Sequence, residues 1–159
     1  MAKLWKKGRG KLGCFTPLLG SWISESTSPM GPVRCTRTFE RVLGDNYLRL
    51  IARWEFGHVP KSKVYEEMAI IGVGDEGVIS FWSFTSDGKK SMGVLADVTD
   101  LNPEAVGFEA KMPAGIARMA YWPEIGGRFR WVVESKTKKG WNRMVDHSYQ
   151  ANLTGSLEV

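Results

Sequence analysis

Near the end of the chain the segment WNRMVDHSYQ, Trp141 to Gln150, holds three side chains able to do binding chemistry: Arg143, His147 and Tyr149. In a strand, alternate residues share a face. Trp141, Arg143, Val145, His147 and Tyr149 therefore form one face, opposite Asn142, Met144, Asp146, Ser148 and Gln150. The first face is the more apolar and is expected to point inward. An inward guanidinium grips a carboxylate through paired donors, which makes Arg143, with His147 and Tyr149, a candidate anchor for an acidic head group. The plainer alternatives are an Arg143 held in a salt bridge and a His147 that is simply packed and hydrogen-bonded.

Other chemistries lack their residue sets. His58, in the link FGHVPK, is the only other histidine, and no histidine pair has metal-ligand spacing. Cys14 and Cys35 are too few for a disulfide framework and are expected to be free thiols. Glu66 and Glu67 are adjacent, so they face opposite sides of a strand and cannot act as an acid and base pair. Gly72-Val73-Gly74 lacks the strand-to-helix setting of a phosphate loop. No Cys-His dyad or Gly-x-Ser-x-Gly elbow is present. No catalytic residue, metal site or cofactor follows from these residues, and an enzyme is not indicated.

The elements that must position these side chains are strands. From Ser21 onward the dominant hydrophobic period is two. In NYLRLIARWEF, Leu48, Leu50, Ala52, Trp54 and Phe56 alternate with Arg49, Arg53 and Glu55. AVGFEAKM and RFRWVVE repeat the pattern, with Phe108 and Trp131 on their apolar faces. Turn signals such as Gly44-Asp45-Asn46, Ser86-Asp87-Gly88, Gly126-Gly127 and Lys138-Lys139-Gly140 separate the runs. This predicts ten strands, at 20–27, 33–42, 46–56, 64–73, 78–84, 90–98, 104–112, 116–122, 128–136 and 141–151. One helical turn is expected at Thr16 to Leu19. The fold class is all-β, and a meander this long avoids exposed edges most simply by closing into an antiparallel up-and-down β-barrel. The lumen of such a barrel holds side chains or one small ligand. Trp54, Trp82, Phe108 and Trp131 are thus either core or the lining of a ligand cavity.

The chain has 159 residues, 43% of them hydrophobic, and a net charge of +5. Lys3, Lys6, Lys7, Arg9 and Lys11 account for all of that charge, since the remaining 17 basic residues match the 17 acidic ones. The expectation is a basic, disordered tail over 1–14, a single barrel domain over 15–153 and a C-terminal tail over 154–159, with no nucleic-acid partner. No apolar run approaches the roughly 20 residues of a spanning helix. Lys11-Leu12-Gly13-Cys14 superficially matches a lipobox, but no apolar signal core precedes it, so a cytoplasmic location is expected.

Gly20-Ser21-Trp22, within Leu18-Leu19-Gly20-Ser21-Trp22 at the start of the first strand, resembles the opening of the calycins, the group of lipocalins and fatty-acid-binding proteins. The likeness extends through RVLGDNYLRL to RFRWVVESKTKKGWNRMVDHSYQA and is nearest to bacterial lipocalin-like proteins of unknown function. The resemblance implies that Gly20 and Trp22 close the barrel base and that the lumen takes a small hydrophobic ligand. Calycins of the lipocalin kind lay an arginine from near the chain's end over that tryptophan. This chain has none after Arg143, and Tyr149 is the candidate replacement. The segment MVDHSYQANL also loosely resembles the histidine segment of nitrobindins, which implies, as an alternative, haem bound through His147 and action on reactive nitrogen species. Nitrobindins open with a Gly-x-Gly-x-Gly-x-Tyr-Pro stretch, which ISESTSPMGP does not match. A ligand-free interaction domain, possible as a homodimer, is the remaining alternative.

Overall fold

In a computed structural model that describes residues 5–29, 31–58 and 61–153, ten antiparallel strands close into an up-and-down barrel. They are β1 (Gly20–Ser28), β2 (Gly31–Val42), β3 (Tyr47–Phe56), β4 (Lys63–Val73), β5 (Ile79–Thr85), β6 (Lys90–Ala96), β7 (Val106–Met112), β8 (Gly115–Glu124), β9 (Arg128–Thr137) and β10 (Gly140–Ala151). Each strand pairs with its sequence neighbour, and β10 returns to β1. The sequence pattern places them because period-two alternation gives a strand one face that can turn to the interior. Leu48, Leu50, Ala52 and Trp54 on β3 point to the core, while Arg49 and Arg53 pair with Glu40 and Glu66 outside.

The seam is short. Only Trp22↔Ala151 and Ile23↔Gln150 pair β1 with β10, supported by the Asn152 amide donating to the Ser21 carbonyl at 2.9 Å. Beyond Ser24 the two strands splay, and a depression of about 220 Å³ between them reaches Ser24, Ser26 and His147.

The closed end is a plug of aromatic side chains. A 3-10 helix, Gly13–Leu18, lies across it, one turn longer at its start than the expected Thr16 to Leu19. Phe15 from this helix is fully buried and stacks on Phe108 with ring centroids 5.4 Å apart. Trp22 is buried, and its indole nitrogen donates to the Leu18 carbonyl at 2.7 Å, tying the helix to β1.

The expectation of a disordered tail up to residue 14 needs correction for the described part. Trp5, Leu12 and Cys14 pack against the core, and the Gly8 amide donates to the Gly13 carbonyl at 2.8 Å. These apolar contacts of Trp5, Leu12 and Cys14 hold the segment to the barrel base. Residues 1–4 and 154–159 lie outside the described residues.

A second, smaller core sits outside the barrel wall. Val98 and Ala105, from the loop 97–105 that joins β6 to β7, cover Ala120, Trp122 and Val132 on the outer faces of β8 and β9. Arg118 locks that loop down. Its Nη1 and Nη2 donate to the two Asp100 carboxylate oxygens at 3.0 and 2.9 Å, and its Nε donates to Glu134 at 2.9 Å.

If the N-terminal helix plugs the base, Phe15→Ala removes a fully buried ring from it and destabilises the fold by about 3–5 kcal/mol. Denaturant unfolding measures this; a change below about 1 kcal/mol would mean that the helix is peripheral.

Candidate functional site

The lumen is filled at one end and hollow at the other. Phe39, Phe129 and Tyr149 fill the half above the Trp22 plug, all of them almost fully buried. Toward the hairpin end a cavity of about 710 Å³ opens, walled by Trp54, Phe81, Phe108 and Trp131 and reaching Lys89 and Lys90 at its mouth. Glu67, Ser83 and His147 are its polar wall groups near the interior end, and the Ser83 hydroxyl donates to Glu67.

At the boundary between the filled and hollow halves lies Arg37 of β2, with no exposed surface at all. Its guanidinium carbon sits 4.0 Å from the Trp131 ring centroid and between 5.5 and 5.8 Å from those of Trp54, Tyr121 and Tyr149. One nitrogen, Nη2, donates to the Tyr121 hydroxyl at 3.0 Å and stands 3.8 Å from Glu67. Aromatic faces attract a desolvated cation, but they do not satisfy its N–H groups. Nε and Nη1 of Arg37 are buried without a hydrogen-bond partner, as are Nε1 of Trp131 and Nδ1 of His147. Those four account for all but one of the five such atoms among the described residues, the fifth being Nε of Arg49. The orphaned polar atoms of the barrel thus concentrate around one guanidinium.

The electrostatics follow from this placement. Burial acts against the charge on Arg37, but a guanidinium is too basic to give up its proton in a protein, so it stays ionised. Burial pushes the Tyr121 phenol up to about 12, with Arg37 pulling the other way. Tyr149 is shifted upward for the same first reason and donates its hydroxyl to Cys35 Sγ at 3.0 Å. The Cys35 thiol is itself pushed up by burial and is no nucleophile at neutral pH.

The sequence-predicted site residues divide. Trp54, Phe108, Trp131 and His147 line the cavity, and Tyr149 lies just below it beside Arg37. Arg143 does not face inward. The register of β10 against β9 shifts between Arg143↔Glu134 and Val145↔Val133, so Met144 is an extra residue. One bulged residue reverses the parity of everything before it, which turns Trp141 and Arg143 outward. There Arg143 donates to Glu134 at 3.0 Å and Asp146 at 3.1 Å, and Arg118 stacks over Trp141 at 4.1 Å. Trp82 is also outward, paired across strands with Ile70 and Met92, and its neighbour Phe81 lines the cavity instead. Tyr149 does not lie over Trp22. Phe129 packs edge-on against Trp22 at 4.7 Å, and Tyr149 stacks on Phe129 at 4.9 Å.

Arg37 was legible and overlooked. In VRCTRTF it shares its parity with Val33, Cys35 and Phe39, so a guanidinium stands on an otherwise apolar face. Among the described residues no group of three or more His, Cys, Asp or Glu side chains is arranged to hold a metal ion. Compared with known proteins, the chain matches no family model, and no curated protein is similar enough to count as a relative.

His147 supplies a pH test of this geometry. Burial and then the Arg37 charge hold its pKa below the ordinary imidazole value, with Asp146 opposing them. Because the folded pKa is the lower one, the unfolded chain binds the proton first as pH falls. This contribution to stability is complete above about pH 6.5 and is lost as pH drops through that value toward the folded pKa. His147→Gln should therefore lose less Tm than the wild type on acidification from about pH 7.5 to 5. Equal losses in the two proteins would contradict the placement of His147 beside a buried cation.

Proposed function

We propose that this barrel binds one small, largely apolar molecule with an acidic head group, its apolar body in the cavity and its head turned toward Arg37. The observation that carries the reading is the cluster of unsatisfied N–H and ring nitrogen groups around a fully buried, charged guanidinium packed against Trp54 and Trp131, two of the cavity's walls. Buried polar groups are normally satisfied, and removing a cation from water costs several kcal/mol unless it is paired. One phenol and a carboxylate at 3.8 Å supply only part of that pairing. An anionic head would accept from the remaining donors, while the walls of Trp54, Phe81, Phe108 and Trp131 suit an aliphatic or flat body. Arg37 has no exposed surface, so for a head group to reach it Glu67 on the cavity wall has to move aside. The reading accords with the calycin resemblance of Leu18 to Trp22 but moves the anchor from Arg143 to Arg37.

One observation favours a second reading: the neutral His147 ring stands on the cavity wall with an unpartnered Nδ1. His147 would then hold haem, the apolar walls would seat the macrocycle, and the iron would supply diatomic-gas and redox chemistry. A haem titration with a Soret shift that disappears in His147→Ala supports that reading, and a shift unchanged by the substitution removes it.

The leading reading is tested by fluorescence titration with matched pairs of medium-chain carboxylic acids and alcohols. Acids should bind at least about 10-fold tighter, because hydrogen bonds to charged groups are the stronger kind. Arg37→Met/Glu67→Gln, which removes the cation together with its nearest anion, should abolish the preference while leaving Tm equal or higher, as replacement of a buried ion pair by an apolar group commonly does. Arg143→Met should leave the affinity unchanged. An acid preference that survives the double substitution, or absence of binding by either series, would overturn the proposal.

A further inference from the structure

The balance of charge outside the N-terminal segment conceals a separation of charge along the barrel axis. Five connections, β1–β2, β3–β4, β5–β6, β7–β8 and β9–β10, join strands at the cavity end of the barrel, and their described residues are 29, 57–58, 61–62, 86–89, 113–114 and 138–139. Counting each with two residues on either side, the β3–β4 loop brings Lys61 and Lys63, the β5–β6 turn Lys89 and Lys90, the β7–β8 turn Lys111, and the β9–β10 turn Lys136, Lys138 and Lys139. Against these eight lysines stand two acidic residues, Glu55, which pairs with Arg53, and Asp87, which pairs with Lys89. The four connections at the closed end, counted the same way, carry seven acidic residues and two arginines, Arg41 and Arg128. Among the described residues the N-terminal segment adds Lys6, Lys7, Arg9 and Lys11 to that end.

All eight mouth lysines are exposed. Large apolar side chains are exposed among them: Val64, Phe84 and Met112 near the hairpin tips, and Met144, at 63% exposure, on the bulge. Lys89, Lys90, Met112 and Met144 belong to the rim and to the cavity lining at once.

From this we infer that the open end docks on an anionic lipid bilayer, mouth first, with the lysines at the headgroup level and Val64, Phe84, Met112 and Met144 entering the interface. Basic residues strengthen attachment to an anionic surface, each by about five-fold, and apolar side chains set among them add burial in the headgroup region. A nucleic acid would meet the charge equally well but would leave those apolar tips in water. The inference rests on the cavity reading only for its purpose, the exchange of an amphiphile between bilayer and barrel. The docking itself needs no ligand.

Co-sedimentation of the full chain with vesicles tests it, using phosphatidylcholine alone and phosphatidylcholine with one-third phosphatidylglycerol. The wild type should bind the anionic vesicles only. Lys61→Glu, Lys63→Glu, Lys138→Glu and Lys139→Glu together should weaken that binding at least about 100-fold. If that variant folds poorly, Lys→Gln at the same positions gives the test with a smaller loss. Reversing Lys6, Lys7, Arg9 and Lys11 should change binding by less than that, because they sit at the far end. Arg37→Met/Glu67→Gln should sediment like the wild type, so a failure of the ligand reading stays distinguishable from a failure of docking. Vesicle binding that survives the mouth reversal, that is lost instead on reversal at the far end, or that is absent while duplex DNA is bound, would overturn the inference.

Discussion

The structure turns on one buried cation. Placing Arg37 inside a barrel costs several kcal/mol of desolvation, and the neighbours that offset it are drawn from much of the barrel's circumference: Trp54 on β3, Glu67 on β4, Tyr121 on β8, Trp131 on β9 and Tyr149 on β10. The guanidinium divides the lumen. Toward the base, the buried rings of Trp22, Phe39, Phe129 and Tyr149 fill it. Toward the hairpins, the space between the walls stays open. A well-packed apolar residue at this position would avoid that desolvation, so the half-satisfied charge of Arg37 is a cost that the packing of the barrel does not explain.

Much of the architecture could be read from the residues, because a half-buried strand writes its own parity. The ten expected runs agree with the ten strands within two residues at every end, and the glycine turns fall where the chain needs positive φ, as at Gly88 (82°) and Gly140 (127°). The site was harder to read, for three physical reasons. A bulge at Met144 leaves no compositional trace, yet it turned Arg143 from the lumen to the outer ion network. In ISFWSF aromatics occur at both parities, so Trp82 and Phe81 cannot be told apart without the pairing partners. Arg37 stood in plain alternation with Val33, Cys35 and Phe39, but an arginine in a strand invites an outward assignment.

Charge gave a similar lesson at larger scale. A sum over the chain places the excess in the first eleven residues and leaves the rest neutral. Alternating strand direction then sorts that neutral remainder, sending lysine-bearing turns to one end and acidic turns to the other. Net charge is a property of composition, whereas a field that steers a partner is a property of topology. The outer wall shows the converse case: Arg118, Asp100, Glu134, Arg143 and Asp146 look like a reactive cluster in isolation, but they fasten the loop 97–105 to the barrel and satisfy one another.

We propose that the lumen holds an acidic amphiphile through Arg37. Native mass spectrometry of the purified full chain tests it most directly, before and after incubation with a mixture of aliphatic and aromatic carboxylic acids. A one-to-one adduct is expected in the wild type and is expected to be absent from Arg37→Met/Glu67→Gln. A bare protein mass under both conditions, or an adduct retained equally by the variant, would contradict it.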